Sequence, residues 1–104
     1  MKIFDIYVAY VTWGSGGKKR PVLILEQKTS VVTVFTITTQ YTTKSEAVRS
    51  KYYVINDWAQ AGLYAQSYVN TEHTVTLPIT ALDAKPIGKL TKNDAQGLLA
   101  FLEG

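Results

Sequence analysis

Apolar and polar positions change period several times along the chain, and each change marks an element. Asp5 to Thr12 (DIYVAYVT) alternates and is rich in β-branched and aromatic residues, which predicts a strand. Trp13 to Lys19 holds Gly14, Ser15, Gly16 and Gly17 in a row, which predicts a flexible loop. Pro21 to Leu25 is continuously apolar, as a strand covered on both faces is. After a turn at Lys28 to Ser30, Val31 to Thr39 reads as the next strand. There Phe35 and Ile37 share one parity, and Thr36 and Thr38 the other. Tyr41 to Ser50 is polar and has no clear period. Lys51 to Ile55 returns to strand character.

Asn56 then reads as a cap for a short helical turn, Asp57 to Ala61, closed by Gly62. Gln66 to Leu77 predicts one or two strands, ended by Pro78. Thr91 stands three residues ahead of Asp94, a capping box with Asp in place of Glu. Ala95, Leu98, Leu99 and Leu102 follow at helical spacing, so a C-terminal amphipathic helix is expected to lay its leucine face on the sheet. Six or so short strands, one small helix and one closing helix predict a single mainly β domain over residues 1–104, a small β-barrel of mostly antiparallel strands.

Composition narrows the chemistry. No apolar run approaches the roughly 20 residues that span a bilayer, so no membrane partner is expected. The N-terminal Met1-Lys2-Ile3-Phe4-Asp5 has no apolar signal region, which points to a cytoplasmic protein. There are no cysteines and one histidine, which disfavours disulfides, thiol catalysis and clustered metal ligands; neither metal nor cofactor is expected. The net charge of +3 is unevenly spread. Residues 1–51 carry eight Lys/Arg against three acids, and residues 52–104 carry three against five. A basic half suggests a polyanion such as nucleic acid.

The densest charge lies in GSGGKKRPVLIL, residues 14–25. It is not a Walker loop, because Gly17-Lys18-Lys19-Arg20 enters a strand where that motif enters a helix. Lys18 and Lys19 are candidate point charges for a phosphate chain. Arg20 differs, since Pro21 and the core strand fix the backbone just beyond it. A guanidinium held in one place can grip a phosphate bidentately and stabilise a charge-rich transition state. At the end of the next strand, Thr38 offers a hydroxyl to a phosphate or ribose, with Thr39 beside it. In the strand Gln66 to Leu77, parity puts His73 with Val69, Val75 and Leu77 unless a bulge intervenes. It puts Asn70 and Glu72 on the other face with Thr74 and Thr76, so these two are the better candidates. Trp13, beside the cations, is the aromatic best placed to stack on a base.

These residues, taken in order, resemble the MazF/PemK-like toxins of bacterial toxin–antitoxin modules. The likeness runs from DIYVAYV through the Gly/Ser loop and RPVLIL to TITTQ. It continues in WAQAGLYAQSYV, in PIGKLT and in a helix that starts NDAQGLL. It implies an SH3-like barrel that dimerises and cuts single-stranded RNA without metal, by attack of the ribose 2′-hydroxyl on the adjacent phosphate. It carries the family's loop–strand arginine to Arg20, to stabilise the phosphorane. It carries the strand-end threonine to Thr38, to position or activate the hydroxyl. Where some PemK members place arginine and aspartate, this chain has Asn70 and Glu72. Glu72 can serve as a base, whereas Asn70 supplies neither cation nor proton. The expected RNA-binding set is Trp13, Lys18, Lys19, Thr39 and Asn70. The resemblance also implies a cognate antitoxin with an acidic segment, and contact with DNA only through the toxin–antitoxin complex. The alternatives are a barrel that binds nucleic acid or antitoxin but has lost cleavage, and a module whose edge strands bind another protein.

Overall fold

The computed structural model describes all residues 1–104. Six strands form one antiparallel sheet: β1 (Asp5–Trp13), β2 (Gly16–Gln27), β3 (Val31–Thr38), β4 (Tyr52–Val54), β5 (Tyr68–Pro78) and β6 (Gly88–Lys89). Their order across the sheet is β4-β5-β3-β2-β1-β6, and the sheet curls into a half-barrel. Two helices complete it, α1 (Glu46–Arg49) and α2 (Lys92–Glu103). The apolar run in β2 is explained by burial on both sides. Leu23 joins a cluster with Ile6, Phe35, Ile37, Val69 and Leu98. Val22 and Ile24 join a second cluster with Tyr7, Ala9, Val11, Val32 and Val34 on the other face.

The structure departs from the sequence expectations in four places. The predicted Trp13–Lys19 loop is a β-hairpin: Trp13 pairs with Gly16, leaving only Gly14 and Ser15 in the turn. Gly14 has φ +48 and no side chain to clash there, which suits the first central position of a two-residue hairpin turn. Lys18 and Lys19 therefore sit on β2, opposite Val11 and Tyr10, and do not ride a mobile loop.

The small helix lies at Glu46–Arg49, within the polar stretch that showed no period, with the Ser45 hydroxyl accepting from Val48 N–H. Residues 57–61 make a turn and no helix, and the Asn56 side chain does not cap them. The N–H groups of Asn56 and Asp57 instead donate to the carboxylate of Asp94, at 3.0 and 2.7 Å.

Thr91 caps α2 as expected, its hydroxyl accepting from Asp94 N–H at 3.3 Å. Asp94 does not reach back to close the box, because it is wholly buried among donors from the 53–57 segment. The face of α2 turned to the core is therefore Asp94, Ala95 and Leu98, with Phe101 edge-on to Tyr53 at 5.8 Å. Leu99 and Leu102, expected on the sheet, are 50% and 45% exposed.

The fourth departure is in β5. Between the pairs Val34↔Val75 and Thr36↔Asn70, two steps along β3 face five along β5, so residues 71–74 bulge out. The odd surplus reverses strand parity. His73, Glu72 and Thr74 are all exposed on the bulge, and His73 does not share a buried face with Val69.

Candidate active site

One cleft of about 490 Å³ gathers the chemistry, a size ordinary for a ligand site. It lies where the start of β2, the end of β3, β5 and the 62–64 turn converge. Lys18, Lys19 and Arg20 form one wall and Thr36, Thr38 and Thr39 another, with Lys44, Tyr52, Tyr64 and Asn70 completing it. No carboxylate and no histidine line it. Four cations line it, Lys19 paired with Asp83 and the other three without a carboxylate partner, and such a cluster gives the cleft a positive potential.

Arg20 is set by its neighbours on both strands. It pairs in register with Ala9, whose small side chain leaves room beside it, and Pro21 follows opposite Val8. The Trp13 ring lies 5.3 Å from the guanidinium carbon, in cation–π contact. The Arg20 Nε is buried and has no hydrogen-bond partner within the protein. A buried donor left unmatched carries a desolvation cost of about 1–3 kcal/mol, which an oxyanion in the cleft would offset. Thr38 is also constrained. Its Oγ1 accepts from Gln40 N–H at 3.0 Å, and its own O–H remains free to donate. Asn70 is turned by a similar bond: its Oδ1 accepts from Glu72 N–H at 2.9 Å, so its amide NH2 is its remaining donor.

Of the eight residues singled out from the sequence, Lys18, Lys19, Arg20, Thr38, Thr39 and Asn70 line this cleft. Trp13 lies outside the lining and meets the site only through Arg20. Glu72 is on the exposed bulge, also outside the lining. Lys19 is held by Asp83, with Nζ to Oδ1 at 2.7 Å. Lys44 was missed. It is half-buried, has no carboxylate within ion-pair distance, and comes from the stretch whose pattern predicted nothing. Tyr52 and Tyr64 were missed too, because nothing in a tyrosine's local sequence distinguishes a cleft ring from a strand residue.

The phenol whose titration is displaced lies elsewhere. Burial first, and then its hydrogen bond to Asp94, raise Tyr53 well above the ordinary tyrosine range. That group belongs to the packing of α2 and not to the cleft.

Comparison with known proteins bears on the family and the fold. The family model of the PemK-like, MazF-like toxins of type II toxin–antitoxin systems matches residues 2–103. Among solved structures, the chain is similar to the Mycobacterium tuberculosis toxin MazF-mt6, at 27% identity and a TM-score of 0.72, covering 94% of this chain and 91% of that one. It shares its fold with an Mtb toxin at 24% identity and a TM-score of 0.66, over 93% and 96% of the two chains. It also shares its fold with an endoribonuclease solved in complex with its cognate antitoxin, from Mycobacterial species. That match has 19% identity and a TM-score of 0.60, over 92% and 84%. No curated protein sequence matches the chain.

Proposed function

The chain belongs to the PemK-like, MazF-like toxin family of type II toxin–antitoxin systems, and on that premise we propose that it is an endoribonuclease that cleaves single-stranded RNA in the cation-lined cleft. The observation that carries this reading is Arg20: a guanidinium with a buried, unpartnered Nε, on a strand position followed by Pro21 and with the Trp13 indole against it. In this scheme the scissile phosphate binds at Arg20, with Lys18 and Lys44 adding positive charge around it. The Thr38 hydroxyl positions the ribose 2′-hydroxyl. The 2′-oxygen attacks phosphorus as its proton passes to solvent water, and the P–O5′ bond breaks. The 5′-oxygen takes up a proton from water, leaving a cyclic phosphate and a free 5′-hydroxyl. Arg20 stabilises the charge that develops on the phosphorane oxygens, as fixed donors do in a water-poor site. Where a two-metal nuclease presents carboxylates, this cleft presents cations and hydroxyls. Glu72 lies outside the lining and takes no step.

The protein works in this scheme as a cytoplasmic homodimer. An acidic segment of the cognate antitoxin is the partner that the unpaired cations Lys18, Arg20 and Lys44 suit. A second reading, a barrel that binds RNA without cutting it, is favoured by Asn70 standing where a further cation would sit. One assay separates them. Purified protein, Arg20→Ala and Thr38→Ala are incubated with long RNA in EDTA, and the cleavage ends are mapped. Wild type is expected to cut, leaving 5′-hydroxyl ends, with Arg20→Ala slower by about 10²–10³-fold. Intact RNA with all three proteins, together with salt-sensitive binding, would establish the second reading.

A further inference from the structure

Tyr64 is the most exposed aromatic residue of the chain, at 84%, and it stands on the lining of the cleft. The other candidate rings are already engaged. Trp13 lies against Arg20, and Tyr41 is stacked on Tyr68 at 4.3 Å with Arg49 over its ring. Tyr52 is buried. Tyr64 has no ring or cation partner, so its side chain contributes little to folding where it stands.

Its backbone, by contrast, is tied on both sides. Gly62 (φ +92) and Gly88 pack backbone to backbone, so closely that a Cβ on either would overlap the carbonyl of Ile87 or Ala61. Leu63 is buried and its N–H donates to the Trp58 carbonyl at 3.0 Å. Beyond Tyr64, the Ser67 hydroxyl donates to the Ala65 carbonyl at 2.8 Å. The Gln66 amide donates to the Ile55 carbonyl at 2.8 Å. An exposed ring on an anchored turn, lining the same cleft as the cations, is a preorganised surface for a flat ligand.

We propose that Tyr64 is the stacking platform for one nucleobase of the RNA, next to the nucleotide whose phosphate lies at Arg20. The assignment rests on the reading of the cleft as an RNA site. Stacking on a tyrosine accepts any base by its π-face, so Tyr64 adds affinity at one position while the cations bind the backbone.

The test is equilibrium binding to a 2′-O-methyl oligonucleotide, which cannot supply the attacking hydroxyl. One abasic nucleotide is moved along the strand, and wild type, Tyr64→Ala and Tyr64→Trp are compared at several salt concentrations. Tyr64→Ala is expected to bind the intact strand roughly 5- to 150-fold more weakly, with its salt slope unchanged. Tyr64→Trp is expected to keep the affinity. At one position the abasic gap should weaken wild type and leave Tyr64→Ala unaffected. Tyr64→Ala binding as tightly as wild type would overturn the platform alone. So would a loss that is the same at every abasic position, or sedimentation showing only a changed oligomeric state. Failure of wild type to bind the strand at any salt would overturn the RNA reading itself, and the platform with it.

Discussion

Asp94 and Arg20 are both charged residues drawn into the protein, and they are treated in opposite ways. The Asp94 carboxylate is wholly buried and saturated. Its Oδ1 accepts from the Tyr53 hydroxyl at 2.7 Å and from Asn56 N–H at 3.0 Å, and its Oδ2 from Asp57 N–H at 2.7 Å. Arg20 is half-buried, and its enclosed Nε donates to nothing. A satisfied buried charge locks elements together, here α2 to the 53–57 segment. An unsatisfied one persists where the surrounding strands over-determine it and a ligand completes it. The difference makes Asp94 architecture and supports the role proposed for Arg20 in the cleft, although both are single charged residues beside apolar runs.

The contrast is broken most directly at Asp94. Asp94→Ala leaves the Tyr53 hydroxyl and the two backbone N–H groups unmatched, and is expected to cost about 3–5 kcal/mol of stability. Urea unfolding measures it, and a loss below 1 kcal/mol would remove Asp94 from its structural role. Arg20→Ala should do the reverse. Its loss of about 10²–10³-fold in RNA cleavage is expected with the urea midpoint not lowered, since the substitution removes a buried donor that nothing in the protein matches.

Alkaline pH sharpens the same distinction. The native Tyr53 phenol is raised by burial and by Asp94, whereas an unfolded tyrosine titrates near about pH 10. Above that pH the unfolded chain has lost a proton that the native state still holds. The contribution is therefore complete below about pH 10 and declines as pH rises beyond it. Wild type should lose stability more steeply than Tyr53→Phe between about pH 10 and 12, and parallel profiles would show that neither burial nor Asp94 raises this phenol in the native state. The smallest effect is expected at Lys44. Lys44→Ala should weaken RNA binding uniformly across sequences and reduce the salt slope by about 0.7, the value of one phosphate contact on a single strand. An unchanged slope would place Lys44 outside the phosphate path.

Much of this was readable in the chain itself, because it depends on neighbours in sequence. Alternation in Asp5–Thr12 dictated β1, and the Pro21–Leu25 run dictated a strand covered on both faces. Thr91 set the start of α2 through its own hydroxyl. Arg20 and Thr38 stood out because a proline and a strand end constrain them locally. What the tertiary structure alone decided depends on partners far along the chain. The surplus residues of β5 moved Glu72 and His73 out to solvent, since a bulge is a property of the register between two strands. Asp94 turned inward because its donors lie about 40 residues away, at Tyr53 and Asn56. That pairing in turn decided which side of α2 is buried and left Leu99 and Leu102 exposed. Lys44 and Tyr64 joined the cleft for the same reason. Neither has a local signature, and only the tertiary fold brings them to the cleft that Arg20 lines.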